Sequence, residues 1–102
     1  MTKQVIEIVT FSLADGVTKE AFLEISKGTE AFVRSLPGFI HRQLSHGEDG
    51  RWTDYVTWDS MESAKAAAAA FMADGCTADL MKAILPDSAN MRHEALLWDM
   101  AA

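Results

Sequence analysis

The chain has 102 residues, 49% of them hydrophobic, and a formal net charge of −6, which fits one domain with enough apolar material for a core. The acidic balance argues against nucleic acid and anionic membranes as partners, because both attract basic surfaces. Cys76 is the only cysteine, no apolar run approaches the roughly 18 residues of a membrane span, and no signal-peptide pattern is present, so we expect one cytoplasmic domain over residues 1–102.

The first predicted element is a strand over residues 4–13, because its side chains alternate between two faces and β-branched residues are frequent on both. One face carries Glu7 between Val5 and Val9, and the other carries Ile6 and Ile8. A strand that is apolar on both faces is typical of the centre of a sheet that is covered on both sides.

The second element is an amphipathic helix over residues 18–36, since apolar residues recur at three and four residue spacing. Thr18 can cap its N-terminus, and Pro37 and Gly38 end it. Gly28 lies inside this helix, which costs about 1 kcal/mol relative to alanine. We expect a close approach to another backbone at that glycine.

Two further strands are predicted over residues 39–46 and 51–58, joined by a link of Gly, Glu and Asp residues that is typical of a hairpin. A second helix follows over residues 61–74 and contains five consecutive alanines. Such a run favours close packing on a sheet, because alanine lets backbones approach. Gly75 breaks this helix, a shorter one follows it, and residues 89–99 alternate again as a last strand.

The resulting order, β-α-β-β-α-β, predicts an α+β domain of ferredoxin-like type: a four-stranded antiparallel sheet with both helical crossovers on one face. The first strand is apolar on its second face too, and we read the last strand in the same way. Since no element is left to cover that face, a second copy of the chain is its expected cover, which predicts a homodimer with twofold symmetry.

Some short motifs resemble those of a known superfamily. The strand order, the Pro37-Gly38-Phe39 that opens the second strand, and the Trp58–Lys65 segment resemble the dimeric α+β barrel superfamily, in particular its antibiotic-biosynthesis-monooxygenase-like domains. The resemblance implies a dimeric barrel with a small-molecule cavity between sheet and helices. In some members that cavity oxidises aromatic polyketides without metal or flavin, and in others it degrades haem.

Large side chains would line such a cavity, unless they simply fill the core. The candidate substrate-binding residues are Phe22, Phe32, Tyr55, Trp58, Phe71 and Met72. An alanine-rich helix leaves room beside them.

Three residues are the candidates for proton transfer. Glu7 is a carboxylate on a central strand and needs a partner or a route to solvent, because an uncompensated buried charge is costly. It can act as a base of raised pKa, or form a salt bridge to Arg42, Arg51 or Arg92.

His41 and His93 are the other two candidates, because histidine is the side chain type best suited to proton transfer near neutral pH, although a structural role is open for each. If their strands lie at opposite sheet edges, a dimer could bring His41 of one chain near His93 of the other.

No cofactor or metal is expected. The haem-degrading branch carries a His and a Trp after the third strand, and residues 59–87 contain neither. The three histidines form no close metal-binding pair, and the chain has no P-loop or G-x-S-x-G motif. Two hypotheses remain: a cofactor-independent monooxygenase acting on an aromatic or quinol-type substrate, and a non-catalytic dimeric module that binds a ligand or merely assembles.

Overall fold

The computed structural model describes residues 3–102 and has the predicted element order. The strands are β1 (Val5–Phe11), β2 (Phe39–His46), β3 (Trp52–Trp58) and β4 (Asn90–Ala95); the helices are α1 (Lys19–Lys27), α2 (Glu30–Ser35), α3 (Met61–Ala73) and α4 (Ala78–Lys82), with a 3-10 turn at Gly75–Thr77. In the described part of the chain, no helix has the length and apolar character needed to cross a membrane.

The four strands form one antiparallel sheet in the order β2-β3-β1-β4. This confirms the ferredoxin-like α+β fold and places the strands of the two candidate histidines at opposite edges. Adjacent strands bring side chains into rows across the sheet: Val5 lies beside Trp58, Glu7 beside Val56, and Phe11 beside Trp52.

The first helical region is divided where one helix was predicted. α1 ends at Lys27, and Gly28 is its C-cap rather than an interior residue. The side chain of Thr29 is turned inward, where its Oγ1 donates to the carbonyl of Ser26 at 2.7 Å and accepts from Arg42 Nη1 at 3.0 Å. A side-chain bond to the preceding turn competes with helical pairing. The expected approach of another backbone to Gly28 is not found: its nearest neighbour is the carbonyl of Ile25.

The core between sheet and helices consists of two clusters. One joins the ends of β1 and β3 to the alanines of α3; its buried members are Val5, Val56, Trp58, Ala64 and Ala67. The other joins the opposite ends of the same strands to α1 and α4; its buried members are Phe11, Phe22, Trp52, Leu80 and Ala83. The middle of the sheet lies between the two clusters.

The other face of the sheet is apolar only along its centre, so the expectation of an apolar second face on β4 is wrong. Ile6 and Ile8 of β1 are buried; Ile6 lies between Thr57 and Glu94, and Ile8 lies between Tyr55 and Arg92. On β4 the same face carries Arg92 and Glu94, which form an ion pair at 3.0 Å. The alternating pattern of β4 was predicted correctly, but its apolar residues, Met91 and Ala95, both lie on the face that meets the helices.

The segment after β4 leaves the sheet earlier than predicted. The amide of Leu96 still donates to the carbonyl of Gln4 at 2.9 Å. Beyond it, the side chains of Leu97, Trp98 and Met100 are 80–83% exposed. Three large apolar side chains at that exposure are a feature of surfaces that contact another molecule.

Candidate active site

A cavity of about 530 Å³ separates the two core clusters. Its floor is the middle of the sheet, and its walls come from all four helices and from the segment before β4. The residues that point into it are mostly apolar, with four charged residues: Glu7, Arg42, Asp54 and Asp87. An apolar cavity with a few convergent polar groups is typical of a small-molecule site.

Two neighbouring rows of the sheet form the polar part of the floor. The first row runs Arg42, Val56, Glu7, His93 from β2 to β4. In the second row Asp54 lies beside Val9. Asp54 is two residues along β3 from Val56, on the same face, and is therefore diagonal to both Arg42 and Glu7. The register of the sheet therefore gathers four titratable side chains, from four strands, on one face.

Glu7 is a carboxylate that is only 7% exposed. Burial raises its pKa, because the charged form loses solvation, while the nearby His93, the Trp58 indole and Arg42 oppose that rise and Asp54 adds to it. Trp58 Nε1 donates a hydrogen bond to Glu7 Oε1 at 3.3 Å. Such a carboxylate accepts a proton more readily near neutral pH than an exposed one.

His93 stands beside Glu7 on β4. Its Nε2 lies 3.8 Å from Glu7 Oε2, beyond hydrogen-bond distance, and that nitrogen is buried without a hydrogen-bond partner. His93 does not itself line the cavity. It can therefore act on a ligand only through Glu7, whose charged form it favours.

Glu7 does not form a salt bridge to Arg42, Arg51 or Arg92. Arg42 pairs with Asp54, and Arg92 with Glu94. Arg51 donates to the carbonyl of Ser88 at 3.0 Å and lies near two hydroxyl groups of the strand end. Within residues 3–102 the only basic side chain with a nitrogen within 4.0 Å of the Glu7 carboxylate is His93.

The Arg42–Asp54 pair is a feature that the sequence interpretation missed. Arg42 donates from Nε and Nη2 to the two carboxylate oxygens of Asp54, at 3.0 and 2.8 Å, and each side chain is 16% exposed. A third donor of Arg42 is held by Thr29. The bidentate arrangement fixes both charges at the edge of the cavity floor.

Four of the six candidate substrate-binding residues line the cavity: Phe22, Trp58, Phe71 and Met72. Phe22 and Trp58 are also core residues, and Phe71 reaches in from α3. Met72 is 69% exposed, so it stands at the rim. The aromatic walls are suited to the flat face of an aromatic molecule.

Three candidates lie elsewhere. Tyr55 pairs with Ile8 on the open face of the sheet. His41 pairs with Thr57 of β3 and lines a separate groove beside α1 and α2. Phe32 packs behind Phe71, with ring centroids 6.4 Å apart, and is not part of the cavity wall. The roles suggested for these residues stay predictions, and none of the three reaches the cavity in the single chain.

Met72, Met81, Leu85 and Met91 surround the cavity mouth and are 39–69% exposed. Methionine is flexible and polarisable, so such a rim adapts to ligands of different outline.

Comparisons with known proteins agree with the fold. No family model matches the chain, and no curated protein matches it. Solved structures do match. One is a protein of Bordetella bronchiseptica assigned to the antibiotic biosynthesis monooxygenases, at 14% identity and a TM-score of 0.78, over 95% of this chain and 100% of the other.

Two Streptomyces oxygenases are also similar. The monooxygenase ActVA-Orf6 of Streptomyces coelicolor, in complex with nanaomycin D, has 19% identity and a TM-score of 0.72, over 98% of this chain and 93% of the other. SnoaB of Streptomyces nogalater, a cofactor-independent oxygenase, has 17% identity and a TM-score of 0.65, over 98% and 97%. At this identity the likeness shows the fold, and it confirms the resemblance to antibiotic-biosynthesis-monooxygenase-like domains at that level.

Proposed function

We propose that this protein binds a flat aromatic or quinol-type molecule in the cavity and oxidises it with molecular oxygen, without a metal or flavin. The observation that carries the proposal is Glu7, a carboxylate of raised pKa on the floor of an otherwise apolar cavity. Two proteins of the same fold support the proposal: SnoaB is a cofactor-independent oxygenase, and ActVA-Orf6 is a monooxygenase whose structure contains nanaomycin D.

In the proposed reaction Glu7 removes a proton from an activated C–H group of an anthrone-like substrate. The resulting anion transfers an electron to oxygen, recombination of the two radicals gives a peroxide anion, and this anion takes the proton back from Glu7 to become a hydroperoxide. Loss of water from the hydroperoxide leaves a carbonyl group. One molecule of oxygen is consumed; one of its atoms enters the product, and the other leaves as water with the two substrate hydrogens.

The neighbouring residues support the base. Trp58 holds one carboxylate oxygen through its indole N–H, which leaves Oε2 as the proton acceptor. His93 favours the charged carboxylate and thereby tunes the pKa of Glu7. The aromatic walls exclude water and orient the ring, which are the contributions that an enzyme without cofactor has to make.

Oxygen consumption tests the proposal. Purified protein, free of metal and flavin, should accelerate oxygen uptake with anthrone above the rate without protein. Glu7→Gln should lower the rate constant about 10²-fold or more, the usual contribution of a general base. His93→Ala should also lower it, and Glu30→Gln, at an exposed ion pair of α2 outside the cavity, serves as the control and should leave the rate unchanged.

Two results contradict the proposal. Oxygen uptake that is equally fast in Glu7→Gln would exclude Glu7 as the general base. No uptake across anthrones and quinols, together with tight binding of the same compounds, would instead make the protein the non-catalytic binder.

We further propose a cytoplasmic homodimer assembled through the open face of the sheet. The large apolar side chains of Leu97, Trp98 and Met100, which are exposed after β4, support this assembly. Light scattering should return twice the chain mass of 11.2 kDa. A folded particle of one chain mass at micromolar concentration would contradict the dimer.

A further inference from the structure

We propose that the cavity selects uncharged aromatic ligands over anionic ones, and that Asp54 is the residue that determines this selection. The inference rests on the proposed function, because it assumes that the cavity is the ligand site. It adds the charge class of the ligand: a ring system with hydroxyl or carbonyl groups, and no carboxylate.

The charges that line the cavity favour this selection. Three are acidic, Glu7, Asp54 and Asp87, and one is basic, Arg42. Glu7 and Asp54 lie on adjacent strands of the floor, so an anion at the polar end of the cavity would approach both of them. Charges interact more strongly there than at the surface, since the apolar walls screen them less than water does.

Arg42 is not free to compensate an incoming anion. Both carboxylate oxygens of Asp54 accept from it, and Thr29 Oγ1 accepts from Nη1. A ligand carboxylate would have to displace Asp54 and leave that carboxylate unpaired at 16% exposure. Burying a charge without a partner is costly, so exchanging one carboxylate for another gains nothing.

A hydroxyl group meets no such obstacle. Glu7 Oε2 lies on the cavity floor, and its contact with His93 at 3.8 Å is too long for a hydrogen bond. This oxygen can therefore accept a hydrogen bond from a ligand O–H group. The selection depends on a single carboxylate, because Asn at position 54 has only one carbonyl oxygen for the Arg42 fork. Asp54→Asn would therefore release a cation toward the cavity.

Calorimetric titration with two matched probes tests the inference: hydroxymethyl-anthraquinone, which is uncharged, and the corresponding anthraquinone carboxylate. The wild-type chain should bind the uncharged probe about tenfold more tightly or better at neutral pH, which corresponds to about 1.4 kcal/mol. In Asp54→Asn that ratio should fall to about one or reverse.

Two variants act as controls. Glu48→Gln also removes one negative charge, but at an exposed residue of the link between β2 and β3 that does not line the cavity; its preference should stay near that of wild type. Arg42→Gln combined with Asp54→Asn removes both charges of the pair, so the carboxylate should not gain the affinity that it gains in Asp54→Asn alone.

The outcomes are distinguishable. Equal binding of both probes by the wild-type chain, or an unchanged ratio in Asp54→Asn, overturns the charge selection. The ratio of the two affinities in the wild-type chain depends on no variant, so it tests the preference for uncharged ligands even if Asp54→Asn fails to fold. A strong preference without oxygen uptake would overturn the proposed reaction and leave the selection standing, and failure to bind either probe would overturn both.

Discussion

The contribution of the Arg42–Asp54 pair to stability follows from its geometry. Breaking a fully buried ion pair by removing one partner costs about 3–5 kcal/mol, whereas an exposed pair is worth about 0.2–1 kcal/mol. The two side chains are each 16% exposed, and the contact is bidentate at 2.8 and 3.0 Å. Asp54→Asn should therefore lower the free energy of unfolding by about 2–3 kcal/mol, below the fully buried value because the cavity mouth admits water.

Urea denaturation at neutral pH measures this loss. With a slope of about 1–3 kcal/mol per molar for a small domain, the midpoint should fall by about 0.7–3 M. Glu30→Gln is the matched control: it also breaks a carboxylate–arginine contact, but one whose side chains are 59% and 71% exposed. Its effect should be about 0.5 kcal/mol or less.

A midpoint shift in Asp54→Asn no larger than that in Glu30→Gln would refute the reasoning. It would mean that Arg42 is weakly held and available to an anionic ligand. The expected charge selection of the cavity would then lose its physical basis.

Three further predictions concern single residues. Burial raises the pKa of Glu7 above its ordinary value of 4.5, so its protonated form adds stability that is lost as pH rises through the raised pKa. In urea titrations the free energy of unfolding of Glu7→Gln should equal that of wild type below pH 4.5 and exceed it toward neutral pH. Trp58→Phe removes a hydrogen bond that lowers the pKa of Glu7, so the acidic limb of the rate–pH profile should move to higher pH, and an unmoved limb would exclude Glu7 as the base. Gly38→Ala should lower the thermal midpoint more than Gly50→Ala, because both glycines have φ near 85° but only Gly38 has side chains against the added carbon; equal losses would contradict this packing.

The fold was predictable because its signals are local. Alternation in β1, the glycine-rich link of the hairpin and the caps of the helices each act over a few residues, and all four strands were placed. The break between α1 and α2 was not predicted. At this break the side chain of Thr29 donates to the carbonyl of Ser26 and accepts from Arg42, which lies 13 positions along the chain and meets Thr29 only in the folded protein.

The site was predictable in part. Glu7 stood out as a carboxylate between two valines, and the structure shows it buried beside a histidine, although its role stays a prediction. Arg42 and Asp54 were missed as a pair, yet a signal existed: Asp54 shares a strand face with two tryptophans, and the hairpin register puts Arg42 diagonal to it.

The faces of the strands account for the residues that lie outside the cavity. Alternation divides β3 into two sets, but it does not say which set meets the helices. Tyr55 belongs to the set with the threonines, which is the less apolar one, and this difference in polarity would have placed it on the open face. His41 follows the same register on β2.

The central claim is that the cavity between the two core clusters is the ligand site, with Glu7 as its acidic group. A crystal structure of the chain with hydroxymethyl-anthraquinone tests this claim most directly. We expect the rings between Trp58 and Phe71, with a ligand oxygen within about 3.2 Å of the Glu7 carboxylate. A ligand bound instead on the open face of the sheet, beside Ile8 and Tyr55, would contradict it.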